Sequence, residues 1–265
     1  MGLTSTTISS NSIDRRFEEL RKEGKRALVG YLTAGFPDIE RSMDCLHALD
    51  SGGADIIELG VPFSDPIADG PVIQSSSQRA LAQGMTFQKT LDLASRAKTR
   101  APLVLFSYLN PVLAAGPDVL TRAAEAGVSG ILLTDLPVGS DAEREIWLSE
   151  GPLAFIRLVA PTTPIERMAE IAKHGSGFVY LISRLGVTGA SASVSAGLKE
   201  SVQRLRSATK LPICAGFGIS TPDQAREVGA LADGVVVGSA LVSAAETSPE
   251  AVLRLTQELR TALDS

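Results

Sequence analysis

Histidine and cysteine are scarce in this chain of 265 residues, which has two of each: His47, His174, Cys45 and Cys214. Both histidines fall in helix-patterned segments, which argues against a catalytic metal held by imidazoles. The cysteines lie far apart in apolar surroundings and read as reduced core residues, not as a disulfide. No apolar run approaches the length of a membrane span. The polar opening MGLTSTTISSNS has no apolar core of the kind a secretory signal needs, so a cytoplasmic location is expected. Net charge is only −5, which argues against nucleic acid or an anionic membrane as the main partner. The lysines sit in helices, helix ends or strand beginnings, none where a Schiff-base lysine would project into a pocket.

What is present is an alternation of strand and helix patterns. Apolar strand-like runs start near Ala27, Asp55, Leu103, Gly130, Leu153, Phe178, Leu211 and Gly234. Their near-continuous apolarity suits parallel strands buried on both faces. Helical patterns fill the gaps: 39–50, 86–98, 117–126, 141–150, 164–174, 197–208, 222–230 and 249–263. A leading helix, capped by Ser12 and stopped at Gly24, precedes them. The pattern predicts an α/β fold, a (β/α)8 TIM barrel with an extra N-terminal helix. A doubly wound sheet is the alternative, but it usually carries a phosphate loop after its first strand, and Thr33-Ala34-Gly35-Phe36 is a poor one. Residues 1–11 are expected to be a disordered tail and 12–265 a single catalytic barrel domain.

Two connections are long, Gly60 to Met85 and Ser183 to Ala196. Both follow strand C-termini, the face on which such barrels place their active sites. The first holds the most informative stretch, DIIELGVPFSDPIADGP. Glu58 lies inside an apolar strand, and Asp65 and Asp69 lie in the rigid loop after it. Strand parity leaves Glu58 pointing inward or outward. Outward burial beneath helices is costly without a cation, so an inward, catalytic position is favoured. Asp69, between Ala68 and Gly70, is free to aim at a ligand. Asp65 is suited to bonding its own turn, and Asp135 is either a supporting polar group or a turn former. Tyr180, on the sixth strand, could add a hydroxyl.

Glycines point to phosphate. Gly216-Phe217-Gly218 follows strand seven, and Gly238-Ser239 follows strand eight and opens a short apolar stretch before the last helix. Backbone N–H groups approach an anion closely at glycine, and a helix N-terminus favours negative charge. Gly189 could add another amide from the second long loop, whose Arg184 reads as solvent-facing. What these residues allow together is cofactor-free acid–base chemistry on a phosphorylated substrate.

ELGVPFSDPIADGPVIQ (Glu58 to Gln74), YLISRLGVTG (Tyr180 to Gly189), GFGIS (Gly216 to Ser220) and GSA (Gly238 to Ala240) resemble the tryptophan synthase alpha chain. The resemblance runs from about Ile13 nearly to the C-terminus and includes Gly30 to Pro37. It implies a (β/α)8 lyase that cleaves indole-3-glycerol phosphate into indole and glyceraldehyde 3-phosphate for L-tryptophan biosynthesis. It further implies Glu58 as general acid/base and Asp69 as partner of the indole N–H. Tyr180 and Phe217 would line the indole pocket and Thr188 would help close the long loop over Asp69. Gly189, Gly218, Gly238 and Ser239 would hold the phosphate. The implied partner is a beta chain carrying pyridoxal phosphate, in an alpha2beta2 tetramer, with no cofactor and no metal in this chain. The stretch from Ala190 to Ala196, low in bulk, is expected to be disordered without ligand. Three rivals remain: a stand-alone lyase of the same chemistry, a non-catalytic phosphate-binding regulatory barrel, and a sugar-phosphate epimerase. The last would need metal-binding histidines at strand ends.

Overall fold

The computed structural model describes residues 11–182, 191–216 and 218–265, with the side chains of 191–196 excepted. Parallel strands β1 (Ala27–Thr33), β2 (Ile56–Gly60), β3 (Leu103–Ser107), β4 (Val128–Leu133), β5 (Ala154–Val159), β6 (Val179–Ile182), β7 (Ile213–Gly216) and β8 (Gly234–Val237) pair in sequence order. The ring closes where β1 pairs with β8, Ala27 beside Gly234. The expected TIM barrel is therefore the fold, and helix α1 (Ser12–Glu23) precedes its first strand.

The pleat divides each strand between two cores. Ala27, Val29, Ile56, Val104, Leu132, Ile156, Phe178, Cys214 and Val236 fill the barrel interior. Leu28, Ile57, Leu59, Leu105 and Val235 face the surrounding helices. Two apolar faces explain why the strands read as unbroken apolar runs. Helix α1 covers the N-terminal end of the barrel, with Ile13, Phe17 and Leu20 packed on the interior cluster. Asp55, three residues before Glu58, fixes this end. Its carboxylate accepts from the Leu28 N–H at 2.7 Å and pairs with Arg16 of α1 at 2.5 Å and Arg260 of α12 (Pro249–Asp264) at 2.8 Å.

The structure corrects four expectations. The cap of α1 is Asn11, not Ser12. The Asn11 side chain accepts from the Ile13 N–H at 2.9 Å and donates to the Ser129 carbonyl at 2.8 Å, so residue 11 is anchored. The connection from Gly60 to Met85 contains a full helix, α3 (Pro71–Ala82), with Pro71 in its first turn. Its buried face is Ser76, Ser77 and Ala80, too polar and small to register as an amphipathic stripe. A further short helix, α5 (Leu109–Ala114), follows β3. The helix before β7 is α9, Ser191–Ala208, so from Ser191 the stretch expected to be disordered is helical.

Candidate active site

The C-terminal ends of the strands surround a cavity of about 330 Å³. Glu58 reaches it from the middle of β2. Ile56 faces the interior and Ile57 the helices, so alternation turns Glu58 inward. The inward position favoured above is the one observed. Its carboxyl is 1% exposed, and Oε1 has no hydrogen-bond partner among the described residues. Burial without a cation pushes its pKa up to about 8, so the acid is protonated at neutral pH. Tyr180 also lines the cavity from β6 and is 9% exposed. Burial first, and the nearby Glu58 charge second, raise its phenol far above the ordinary range.

Asp69 is carried to the same cavity by the loop between β2 and α3. Burial raises its pKa to about 6, and a hydrogen bond with the Tyr108 hydroxyl opposes the rise. Tyr108 holds the loop in a second way, since its hydroxyl accepts from the Ala68 N–H at 2.9 Å. Its ring lies 5.0 Å from that of Phe63. The Gln74 amide donates to the Asp69 carbonyl at 2.9 Å, tying the loop to α3. Nothing in the sequence singles out Tyr108, which directly follows the apolar run of β3. Asp65 is exposed and accepts from the Ser64 hydroxyl at 2.5 Å, the turn-bonding role expected of it. Asp135 accepts from the Leu109 N–H at 2.7 Å at the start of α5.

Gly218, Gly238 and Ser239 line the same cavity. Gly218 adopts φ 80, a left-handed conformation that favours glycine. Gly238 caps α11 (Ser239–Thr247), the extra helix before α12, and no side chain occupies the cap. Among the described residues no side-chain hydrogen bond takes its first backbone N–H groups, an arrangement that suits an anion. Ile73, Phe106, Leu158, Ile182 and Val236 give the cavity apolar walls. Thr188, Gly189 and Phe217 lie outside the described residues, as does Arg184. His47 bonds the Ala97 carbonyl and His174 bonds Glu170, both on the outer helices.

A (β/α)8 barrel whose strand C-termini surround a cavity lined by two acids, apolar side chains and a helix N-terminus has the architecture of a barrel enzyme. Comparison with known proteins narrows the class. The family model for the tryptophan synthase alpha chain matches residues 17–264. The tryptophan synthase alpha chain of Desulfatibacillum aliphaticivorans is 47% identical over 231 residues, 86% of this chain and 87% of that one. Among solved structures, subunit alpha from Legionella pneumophila superposes with TM-score 0.88 at 37% identity, covering 97% of this chain and 99% of that one. A tryptophan synthase chain from M. tuberculosis, in an aminoacrylate-bound form, superposes at 0.86 with 33% identity, over 96% of this chain and 100% of that one. The chain belongs to the tryptophan synthase alpha chain family, a lyase family.

Proposed function

We propose that the chain cleaves indole-3-glycerol phosphate to indole and glyceraldehyde 3-phosphate, with Glu58 and Asp69 as its catalytic residues. The observation that carries the assignment of roles is the buried Glu58, whose Oε1 has no hydrogen-bond partner among the described residues, in a cavity that also holds Asp69. With its pKa near 8, Glu58 holds a proton to give at neutral pH. It delivers that proton to carbon three of the indole ring, which makes the ring an iminium-like electron acceptor. The carboxylate then takes the proton of the glycerol hydroxyl next to the ring. The C–C electron pair passes to the ring, the aldehyde forms, and Glu58 regains its proton. Asp69, ionised above about pH 6, stabilises the positive ring nitrogen through charge and a hydrogen bond.

Gly238 and Ser239, at the start of α11, and Gly218, after β7, hold the phosphate with backbone N–H groups, joined by Gly189. Tyr180 and Phe217 flank the indole, and Thr188 closes the sixth loop over Asp69. The partner is a beta chain carrying pyridoxal phosphate, in an alpha2beta2 assembly in the cytoplasm; this chain carries no cofactor of its own. Ile67, 87% exposed, and Val72 stand beside Asp69 at the barrel mouth and offer that partner an apolar contact. The test is to supply indole-3-glycerol phosphate to the wild-type chain and to Glu58→Gln, with and without a beta chain, and assay indole. Near-normal turnover by Glu58→Gln would sink the role of Glu58. Turnover unmoved by the beta chain would favour a stand-alone lyase.

A further inference from the structure

Tyr31 points from β1 into the cavity, with its ring edge-on to Phe106 at 5.3 Å. Its hydroxyl begins a chain of buried hydroxyls. Thr33 Oγ1 lies 3.3 Å from the Tyr31 oxygen and 2.6 Å from Ser76 Oγ. Ser76 Oγ donates to the Ile73 carbonyl at 2.8 Å. Thr33 is 1% exposed and Ser76 fully buried. Three protons must be placed. One polarity gives each an acceptor among the described residues: Ser76 to the Ile73 carbonyl, Thr33 to Ser76, and Tyr31 to Thr33. The reverse polarity forfeits the Ser76 bond to the Ile73 carbonyl and turns the phenolic proton into the cavity. Tyr31 has therefore spent its proton and turns only lone pairs toward the cavity.

We propose that Tyr31 is a specificity-determining residue: its oxygen, fixed as an acceptor by Thr33 and Ser76, takes the ring N–H of the bound indole together with Asp69. The inference rests on the indole reading of the cavity. Tyr31, Glu58 and Asp69 line the same cavity, and burial first, then the Asp69 charge and less strongly that of Glu58, raise the Tyr31 phenol above its ordinary range. Once ionised, Asp69 is also acceptor-only. The space between two acceptors admits a donor and rejects a ring oxygen. Asp69 stands on a loop, whereas Tyr31 stands on a strand and so supplies the fixed direction.

The experiment uses the full chain and two ligands: indole with a three-carbon phosphate tail at carbon three, and the benzofuran counterpart with oxygen in place of N–H. Binding is read by calorimetry. Wild type should prefer the indole ligand. Tyr31→Phe should weaken the indole ligand by about tenfold and move the benzofuran by less than about twofold. Ser76 does not line the cavity, yet Ser76→Ala removes the end of the chain and lets its polarity reverse. The phenolic proton can then face the ligand, so the indole-to-benzofuran ratio should fall toward one. Equal losses for both ligands in Tyr31→Phe, or no loss, would overturn the proposal. So would a wild-type ratio in a folded Ser76→Ala variant. Wild-type protein that binds neither ligand would instead sink the indole reading itself.

Discussion

The hydroxyl of Tyr31 occupies the space that a side chain on Gly60 would need: a Cβ built on Gly60 would stand 2.0 Å from the Tyr31 oxygen. The two residues are neighbours across the β1–β2 pairing, where Tyr31 sits beside Glu58 and Thr33 beside Gly60. Gly60 is therefore glycine because of a close approach. Gly60→Ala must push the tyrosine ring aside, breaking its link to Thr33 and distorting the wall above Glu58. The expected cost is about 1–3 kcal/mol of stability, typical of overpacking a core, with slower indole formation at every substrate concentration. Chemical denaturation and steady-state assays check this; a variant as stable and as active as wild type would show that the ring moves freely.

The two acids set a pH window. If Glu58 must hold a proton and Asp69 must be ionised, cleavage rises as Asp69 ionises near pH 6 and falls as Glu58 ionises near pH 8. Stability has its own sign. The folded state binds protons to Glu58 that the unfolded state releases above its ordinary value of 4.5. Stability therefore falls as pH rises from about 4.5 to about 8 and then levels off. Asp69 adds the same trend between 3.8 and about 6. Glu58→Gln lacks the larger contribution, so it should gain stability relative to wild type as pH rises from 5 to 8. Thermal unfolding of both proteins across that range decides it; parallel curves would mean that Glu58 stays ionised.

These relationships differ in how far they could be read from the chain alone. The strands were legible because burial on both faces leaves an apolar run. Glu58 stood out because it interrupts one. Parity alone did not fix its direction; the cost of burying an acid beneath helices without a cation favoured the inward face. Helix α3 was hidden because it buries serines and an alanine. Asp55 gave no signal: its partners Arg16 and Arg260 lie 39 and 205 residues away. Tyr108 looked like strand, and only the folded loop brings Ala68 and Asp69 to its hydroxyl.

Gly218 tests the phosphate end. At φ 80 any other L-residue is strained, and the position lines the cavity. Gly218→Val should raise the KM for indole-3-glycerol phosphate, because its side chain blocks backbone approach to the phosphate. Affinity for indole, which has no phosphate, should change much less. An unaltered KM would move the anion elsewhere; an equal loss for indole would mean general disorder of the cavity.

Asp55 tests the opposite end of the barrel. Its carboxylate joins α1, β1 and α12 to β2 through Arg16, the Leu28 N–H and Arg260, and is 3% exposed. Asp55→Asn keeps an oxygen for the Leu28 N–H but removes the charge that both guanidinium groups answer. Arg260 is 15% exposed and Arg16 33%, so water compensates the second more than the first. The expected loss is roughly 3 kcal/mol, the lower end for breaking a buried pair. Asp55 does not line the active-site cavity, so the folded variant should keep its KM and its pH limits while unfolding several degrees earlier. A shifted pH limit would show that this charge reaches Glu58 along the strand, and an unchanged unfolding temperature would reduce the cluster to a surface ion pair.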